Sequence, residues 1–472
     1  MGAGTGFHFR LSRSSARLAP GGGVRHMRRM EEALLNEMVE AAVKAGADAA
    51  EVVSAERRAL SIAVRLGELE EVEREESRDL GLRVFVGRRQ ASVSGSDISP
   101  EARGKLVERA VAMARLAPED PYAGLADPEM LARGSLPELD LYDPAEPSPE
   151  TLEDRARTAE AAARAVPNIV NSDGASASWS SSQWRLATSA GFSGLHQASS
   201  FSIGASAIAG DGTVMETGSD WRTVRWQSDL PDVEAIGAEA GRRAASRLGA
   251  RKIASTTAPV IFENRLAASL LSPLIGAISG PSIARGTSFL KDKLGKPVFA
   301  PGVTVTDDPH RRRGLGSSPF DDEGVANRPR NLIDAGVLTT WLLNSSSARQ
   351  LGLTSTGHAS RGLAGPPGVS PANLTLQPGA SDRAALMRDA GTGLLVTSMF
   401  GPSLNGNTGD WSVGCSGIWF EDGEPAYPVT EITVAGNLID IYARLVPGSD
   451  LEFRGAANAP SLLVDGLAIA GR

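Results

Sequence analysis

The residues of this chain able to carry chemistry are few and widely spaced. Five histidines (His8, His26, His196, His310 and His358) and one cysteine, Cys415, are present, and no histidine pair has the i, i+4 spacing that lets a helix grip zinc. His310 sits in the charged run Asp307-Asp308-Pro309-His310-Arg311-Arg312-Arg313, which reads as a solvated loop rather than a ligand site. His358 closes the polar stretch Ser355-Thr356-Gly357-His358, where a packed or surface imidazole is the ordinary reading. Ser288-Phe289-Leu290-Lys291 has the S-x-x-K spacing that couples a serine to a lysine base in some hydrolases, but its S-D-N and K-T-G companions are missing. Gly191-Phe192-Ser193-Gly194 stops short of a G-x-S-x-G elbow. Asp321-Asp322-Glu323 could hold a hard cation, although an acidic triplet is ordinarily a solvated loop. Cys415, alone, cannot form an internal disulfide; it reads as a small buried residue and fits a reducing cytoplasm.

The elements that would position these residues belong to a soluble globular chain of more than one domain. Its 472 residues exceed one average domain, and 41% hydrophobic and 22% charged residues are ordinary for the class. No apolar run approaches the ~18 residues of a membrane helix. A net charge of −8 argues against a nucleic-acid binder, which would carry a basic face. Residues 1–29 are Arg-rich, lack acids and show no helical or strand period, so a disordered extension, or a start codon placed upstream of Met27 or Met30, is expected there. The Gly2-x-Gly4-x-Gly6 spacing follows no strand and is given no phosphate-binding role.

From Met30, Leu34, Leu35, Met38, Val39 and Val43 repeat at helical spacing, with Gly46 as a stop. Strands are expected over Glu51–Ala55 and Leu60–Leu66, and a hairpin over Leu80–Val86 and Gln90–Ser94. Helices open at Asp97 or Ser99 before Pro100 and at Ser148-Pro149, and a third covers Asp232–Leu248, with strands across Arg185–Thr217. In the second half, Asp334-Ala335-Gly336 and Asp422-Gly423 mark hairpin turns, and Thr430–Val434 and Leu438–Leu445 read as strands. The expected fold class is α+β: a mixed N-terminal domain over 30–250, then a large β-rich C-terminal domain over 251–472.

Between the halves, Ala258–Gly280 runs from a short apolar strand, Pro259–Phe262, into an apolar helix without a histidine. The blocks around it, Ala277–Gly295, Asp307–Val325, Leu343–Arg361 and Gly409–Leu438, resemble in order and spacing the TldD/PmbA family, also called modulators of DNA gyrase. The resemblance covers nearly all of the chain after Met30. One subunit type of that family is a zinc metalloprotease with an L-L-H-E-x-x-G-H helix, and the other lacks the motif. Aligned on Leu270-Leu271, the motif histidines fall on Ser272 and Ala277 and its glutamate on Pro273, so this chain resembles the second type. A cysteine ligand near the C-terminus of the protease type has no counterpart in Glu452-Phe453-Arg454-Gly455.

The resemblance implies a non-catalytic subunit with no metal of its own. Zinc would sit in a TldD-like partner, and the heterodimer or larger assembly would cleave unfolded peptides, with this chain forming part of the peptide channel and the subunit interface. Ser355, Thr356, Gly357 and His358 are the expected channel residues, from the position of their block. Two other classes stay open: a stand-alone peptide-binding or scaffold protein without a protease partner, and an independent hydrolase built on Ser288 or an unusual metal site.

Overall fold

The computed structural model describes residues 22–471 apart from 211 and 213; His8 and the Gly2-x-Gly4-x-Gly6 spacing lie outside the described residues. Helix α1 (Gly22–Lys44) starts inside the segment expected to be a disordered extension. Its buried side is Leu35, Met38, Val39 and Ala42; Val43, one position further round, is 43% exposed instead of facing the core.

Six strands follow: β1 (Ala49–Arg65), β2 (Glu68–Val86), β3 (Arg89–Gly95), β4 (Ile169–Thr188), β5 (Ser193–Gly210) and β6 (Met215–Val224). They form an antiparallel sheet in the order β3-β2-β1-β4-β5-β6. The two strands expected across 51–66 are one. The polar stretch between them stays in the ladder because Arg57 pairs with Glu75 at 3.0 Å and Glu56 with Arg78 at 2.8 Å across β1 and β2. The same pairs carry β2 through its acidic run. β4 begins well before Arg185 because the Ser/Ala run alternates: Ala175, Ala177 and Trp179 are buried, and Ser176, Ser178 and Ser180 lie on the other face.

Helices cover the buried face. Ser99 caps α2 (Pro100–Leu116) and Ser148 caps α3 (Pro149–Arg164), each accepting a first-turn N–H beside a proline that cannot donate. Asp232 caps α4 (Val233–Ala245). α3 and α4 close one apolar cluster with Ile62, Trp179, Phe201 and Ile203. The opposite face carries Ser176, Ser178, Ser180, Ser200, Ser202 and Ser206, all at least partly exposed.

In the second half, β7 (Thr256–Phe262) leads through α5 (Asn264–Ala267) and a 3₁₀ turn into α6 (Leu271–Ile278) and α7 (Gly280–Ala284). Then come β8 (Val305–Asp307), β9 (Arg330–Asp334), β10 (Val337–Leu338), α8 (Ser345–Leu351), β11 (Ala359–Ser360), β12 (Gly368–Val369) and β13 (Leu374–Leu376). The chain ends with α9 (Arg383–Ala390), β14 (Gly393–Leu404), β15 (Asp410–Glu421), β16 (Glu424–Asn437), α10 (Leu438–Arg444), β17 (Val446–Pro447), β18 (Ala457–Asn458) and β19 (Leu462–Ala470). Both expected tight hairpins are present. Ala335 and Gly336 have φ of 47° and 94°, and Asp422 and Gly423 of 51° and 79°, the left-handed pair that a two-residue hairpin needs.

One sheet runs β10-β9-β8-β13-β18 and another β16-β15-β14-β7-β19-β17. β16 also pairs with β19 through Thr433–Ala435, which closes the second sheet on itself. Its core holds Phe262, Leu274, Val413, Cys415 and Tyr442. The segment Leu438–Leu445 is helix, not strand: Asn437 accepts the Ile439 N–H at 3.0 Å, and Leu438, Ile441 and Tyr442 bury one helical face. The fold is therefore α+β, with the helices concentrated on the first sheet.

Candidate functional site

β7 delivers the chain into α6 through buried Phe262 and Glu263, and α6 lies in the core on Leu271, Leu274, Ala277 and Ile278. Ser272 is exposed in its first turn, beside Pro273, a position where a missing N–H costs nothing. Ala277 is 5% exposed. Hydroxyl, imino ring and methyl at these positions do not fit zinc, which takes imidazole, carboxylate or thiolate donors. Among the described residues no group of three or more His, Cys, Asp or Glu is placed to hold a metal.

Ser288 is also structural. Its buried Oγ donates to the Ala277 carbonyl at 2.6 Å and accepts the Leu290 N–H at 3.0 Å, which locks α6 to the following loop, while Lys291 is exposed. Cys415 lies in the barrel core, where burial pushes its thiol up to about 12, a packing residue as expected.

The expected channel residues are not surface groups in this chain. Thr356, Gly357 and His358 are buried, and Ser355 is half-buried with its Oγ donating to the Leu343 carbonyl at 3.2 Å. Thr356 Oγ1 and His358 Nδ1 are 2.8 Å apart, and His358 Nε2 lies 3.1 Å from Asp307 Oδ2. Both ring nitrogens of His358 thus engage neighbouring loop residues.

The acidic triplet departs further from expectation. Asp321 and Glu323 are buried rather than solvated. Asp321 accepts backbone N–H groups from Glu323, Val325 and Ala359 at 2.8–3.0 Å; burial and the charge of Glu323 hold its carboxyl well above the usual range. Glu323 accepts both the N–H and the hydroxyl of Ser345, at 2.8 and 2.7 Å. Burial raises Asp322 to about 6 against the opposing Arg361 N–H and charge. These acids meet Glu51, Arg83 and Arg361 where the first sheet abuts the second half, with Arg83 2.7 Å from Glu51 and Arg361 bonded to the same carboxylate. The run around His310 is likewise engaged: Arg313 reaches Asp140 at 2.7 Å and Asp229 at 2.9 Å, and His310 Nε2 lies 2.8 Å from Asn327 Oδ1.

Sequence reasoning missed a charged cleft where β6 and α4 face β7, α5, β14 and the segment 450–454. Its two lobes have volumes of about 460 and 550 Å³. Glu263 is its hub, 3.0 Å from Arg243, 3.4 Å from Arg383 and 3.7 Å from Arg265. Asp220, 2% exposed as a side chain, is bonded by Arg454 and lies 3.0 Å from Arg222, and Arg454 stacks 5.8 Å from the Trp221 ring. The sequence did hold one signal, Glu263 and Arg265 breaking an otherwise apolar strand-to-helix junction.

Three family models tile the chain: PmbA/TldA metallopeptidase domain 1 over residues 50–114, its central domain over 142–248 and its C-terminal domain over 255–471. The chain is 39% identical to metalloprotease PmbA of Escherichia coli O157:H7 over 94% of this chain and 96% of that protein. It is 37% identical to the Haemophilus influenzae PmbA homologue over 92% and 94% of the two. Among solved structures, a candidate modulator of DNA gyrase from Bacteroides thetaiotaomicron superposes with a TM-score of 0.85 at 27% identity, covering 94% of this chain and 99% of that one. TldE from Thermococcus kodakarensis shares the fold, with a TM-score of 0.83 at 22% identity over 93% and 100% of the two chains. A chain matched by these models from residue 50 to residue 471, and by such relatives along almost its whole length, belongs to the PmbA/TldD family.

Proposed function

We propose that the chain is the non-catalytic subunit of a two-subunit peptidase of this family, pairing with a TldD-type partner that supplies the zinc and the base. The observation that carries this reading is the chemistry of α6. The helix is kept as a core element, yet its motif positions offer an exposed hydroxyl, a proline and a buried methyl. In the C-terminal stretch Glu452-Phe453-Arg454-Gly455 there is no thiol, and Arg454 is bound to Asp220.

The open face of the first sheet supports the same reading. Helices cover one side of β4 and β5, and the other presents small hydroxyls: Ser176, Ser178, Ser180, Ser200, Ser202 and Ser206. A wall of short polar side chains lets an unfolded peptide pass without selecting its sequence. In this assignment residues 30–250 form the wall and residues 251–472 the barrel bearing the altered helix. The complex works in the cytoplasm, consistent with a single buried thiol, and no helix among the described residues is long and apolar enough to cross a membrane.

The test is affinity purification of the tagged full chain from cells that also carry a zinc-motif homologue. We expect the two at equal stoichiometry, and chelator-sensitive cleavage of unfolded peptides only when both are present. Capture of no such homologue, or full peptidase activity from this chain alone, would overturn the assignment.

A further inference from the structure

We propose that the cleft between β6 and β14 binds an unfolded acidic peptide in extended form, as a strand added to the free edge of β14. This rests on the reading that the chain handles unfolded peptides, and it goes beyond a passive wall by giving the chain a binding site of its own.

The first observation is a strand edge without a neighbour. β7 pairs in parallel with β14 only through Leu394, Leu395 and Val396, and then Phe262 turns away into Glu263 and α5. From Thr397 to Leu404 no described strand pairs with β14 on that side, while β15 holds its other side as far as Leu404. An extended peptide meets its own backbone needs by joining such an edge, with little demand on its sequence.

The second observation explains why the strand would join β14 and not β6, the outermost strand of the first sheet. Two carbonyls along β6 already have close donors: Thr217 O accepts Arg247 Nη1 at 2.7 Å, and Trp221 O accepts Arg222 Nη1 at 3.0 Å. The group now spanning the two edges is Arg265. It donates to Ser219 O at 3.5 Å and Thr397 O at 3.4 Å, both long enough to yield to a better-aligned backbone N–H.

The third observation is charge. Five arginines, Arg242, Arg243, Arg247, Arg265 and Arg383, line the larger lobe against two glutamates, Glu239 and Glu263. Both glutamates are already paired with these arginines, so positive charge is in excess. Burial, and then the charge of Arg243, lower Arg265 against the opposing charges of Glu263 and Asp220. Trp221 and Met399 supply apolar surface beside them. A chain of Asp or Glu with small apolar residues between them matches this lining, and a Lys-rich chain is repelled.

The experiment uses the isolated full chain and two fluorescein-labelled unstructured dodecapeptides, identical except that every Glu in one is Lys in the other. Fluorescence anisotropy should show the Glu peptide binding at least about tenfold more tightly, with a preference that fades as salt is added. Hydrogen exchange should show amide protection at residues 397–400, ahead of the Gly401-Pro402 bulge, on addition of the Glu peptide. Arg242→Gln with Arg383→Gln, two largely exposed changes, should abolish most of the preference, while Arg57→Gln on the distant β1 leaves it intact. Equal binding of both peptides overturns the proposal. So does protection of 397–400 by the TldD-type partner and not by peptide, because the edge is then a subunit contact. Peptide binding without partner capture would instead sink the subunit assignment and leave this site standing.

Discussion

Replacing Arg361 by Met tests whether the buried charges at the junction of the two halves hold the molecule together. The Arg361 side chain is 0% exposed, Glu51 1%, Arg83 4% and Glu323 2%. Methionine matches much of the aliphatic volume of arginine, so the change isolates the charge. Without Arg361, Glu51 keeps Arg83 at 2.7 Å, but Arg83 also faces Glu323 at 4.0 Å and cannot neutralise both. Removing one partner of a buried ion pair costs about 3–5 kcal/mol, because the remaining charge stays desolvated. The same amount is a loss of roughly two to four decades in the folding equilibrium. Urea unfolding at pH 7.5, followed through the seven tryptophans, would read this as a large fall in midpoint with little change of slope. The companion variant is Glu51→Gln with Arg361→Met, which removes both charges of the pair. It should recover about 1–3 kcal/mol relative to Arg361→Met alone, a coupling that only a charge imbalance produces. If Arg361→Met costs less than about 1 kcal/mol, or if the two changes simply add, the junction is held by packing and the electrostatic account is wrong.

Two further outcomes follow from the same geometry. Asp322 has its carboxyl raised by burial to about 6 from an ordinary 3.8, so between those values the folded protein binds a proton that the unfolded chain releases, and stability falls as pH rises through that window. Asp322→Asn should therefore gain up to about 2 kcal/mol over the parent at pH 7.5 and lose that advantage near pH 4, as read by urea midpoints; an unchanged pH slope would refute it. Ser272→His, Pro273→Glu and Ala277→His together should bind no zinc by mass spectrometry after dialysis, and should lose about 1–3 kcal/mol because an imidazole overfills the site of a buried methyl. Stoichiometric zinc in that triple variant would show that the helix is closer to a metal site than its geometry implies.

The legible parts of this molecule are those where local chemistry and tertiary packing agree. Ser99-Pro100, Ser148-Pro149, Asp232, Ala335-Gly336 and Asp422-Gly423 set their own backbone, and each starts or turns an element where the sequence places it. The α+β class was legible for the same reason. Misreadings arose where the deciding partner is remote. The polar stretch between Ala55 and Leu60 looks like a break between two strands until Arg57 and Glu56 are paired across the ladder. Asp321-Asp322-Glu323 looks solvated until Ser345, Ala359 and Arg83 enclose it. Leu438–Leu445 carries apolar residues that suit either period, and only the Asn437 cap and the burial of Tyr442 select the helix. The charged cleft was missed because Asp220, Glu263 and Arg454 lie far apart in sequence and only the fold brings them together.

The relation between α6 and the cleft shows what the chain does with a site it does not equip. A helix that carries zinc ligands must hold polar side chains toward a reaction centre, at a cost to its own packing. Here the same segment gives Leu271, Leu274, Ala277 and Ile278 to the core, and the preceding Leu270 carbonyl accepts the buried Tyr442 hydroxyl at 2.8 Å. Nearby, Asp220, Glu263 and their arginines link β6 and α4 to α5 and the C-terminal segment. Both choices exchange reactivity for rigidity: the helix becomes a strut and the acids become anchors. What remains free in that region is backbone, the edge of β14 beyond Val396, with cationic and aromatic groups around it.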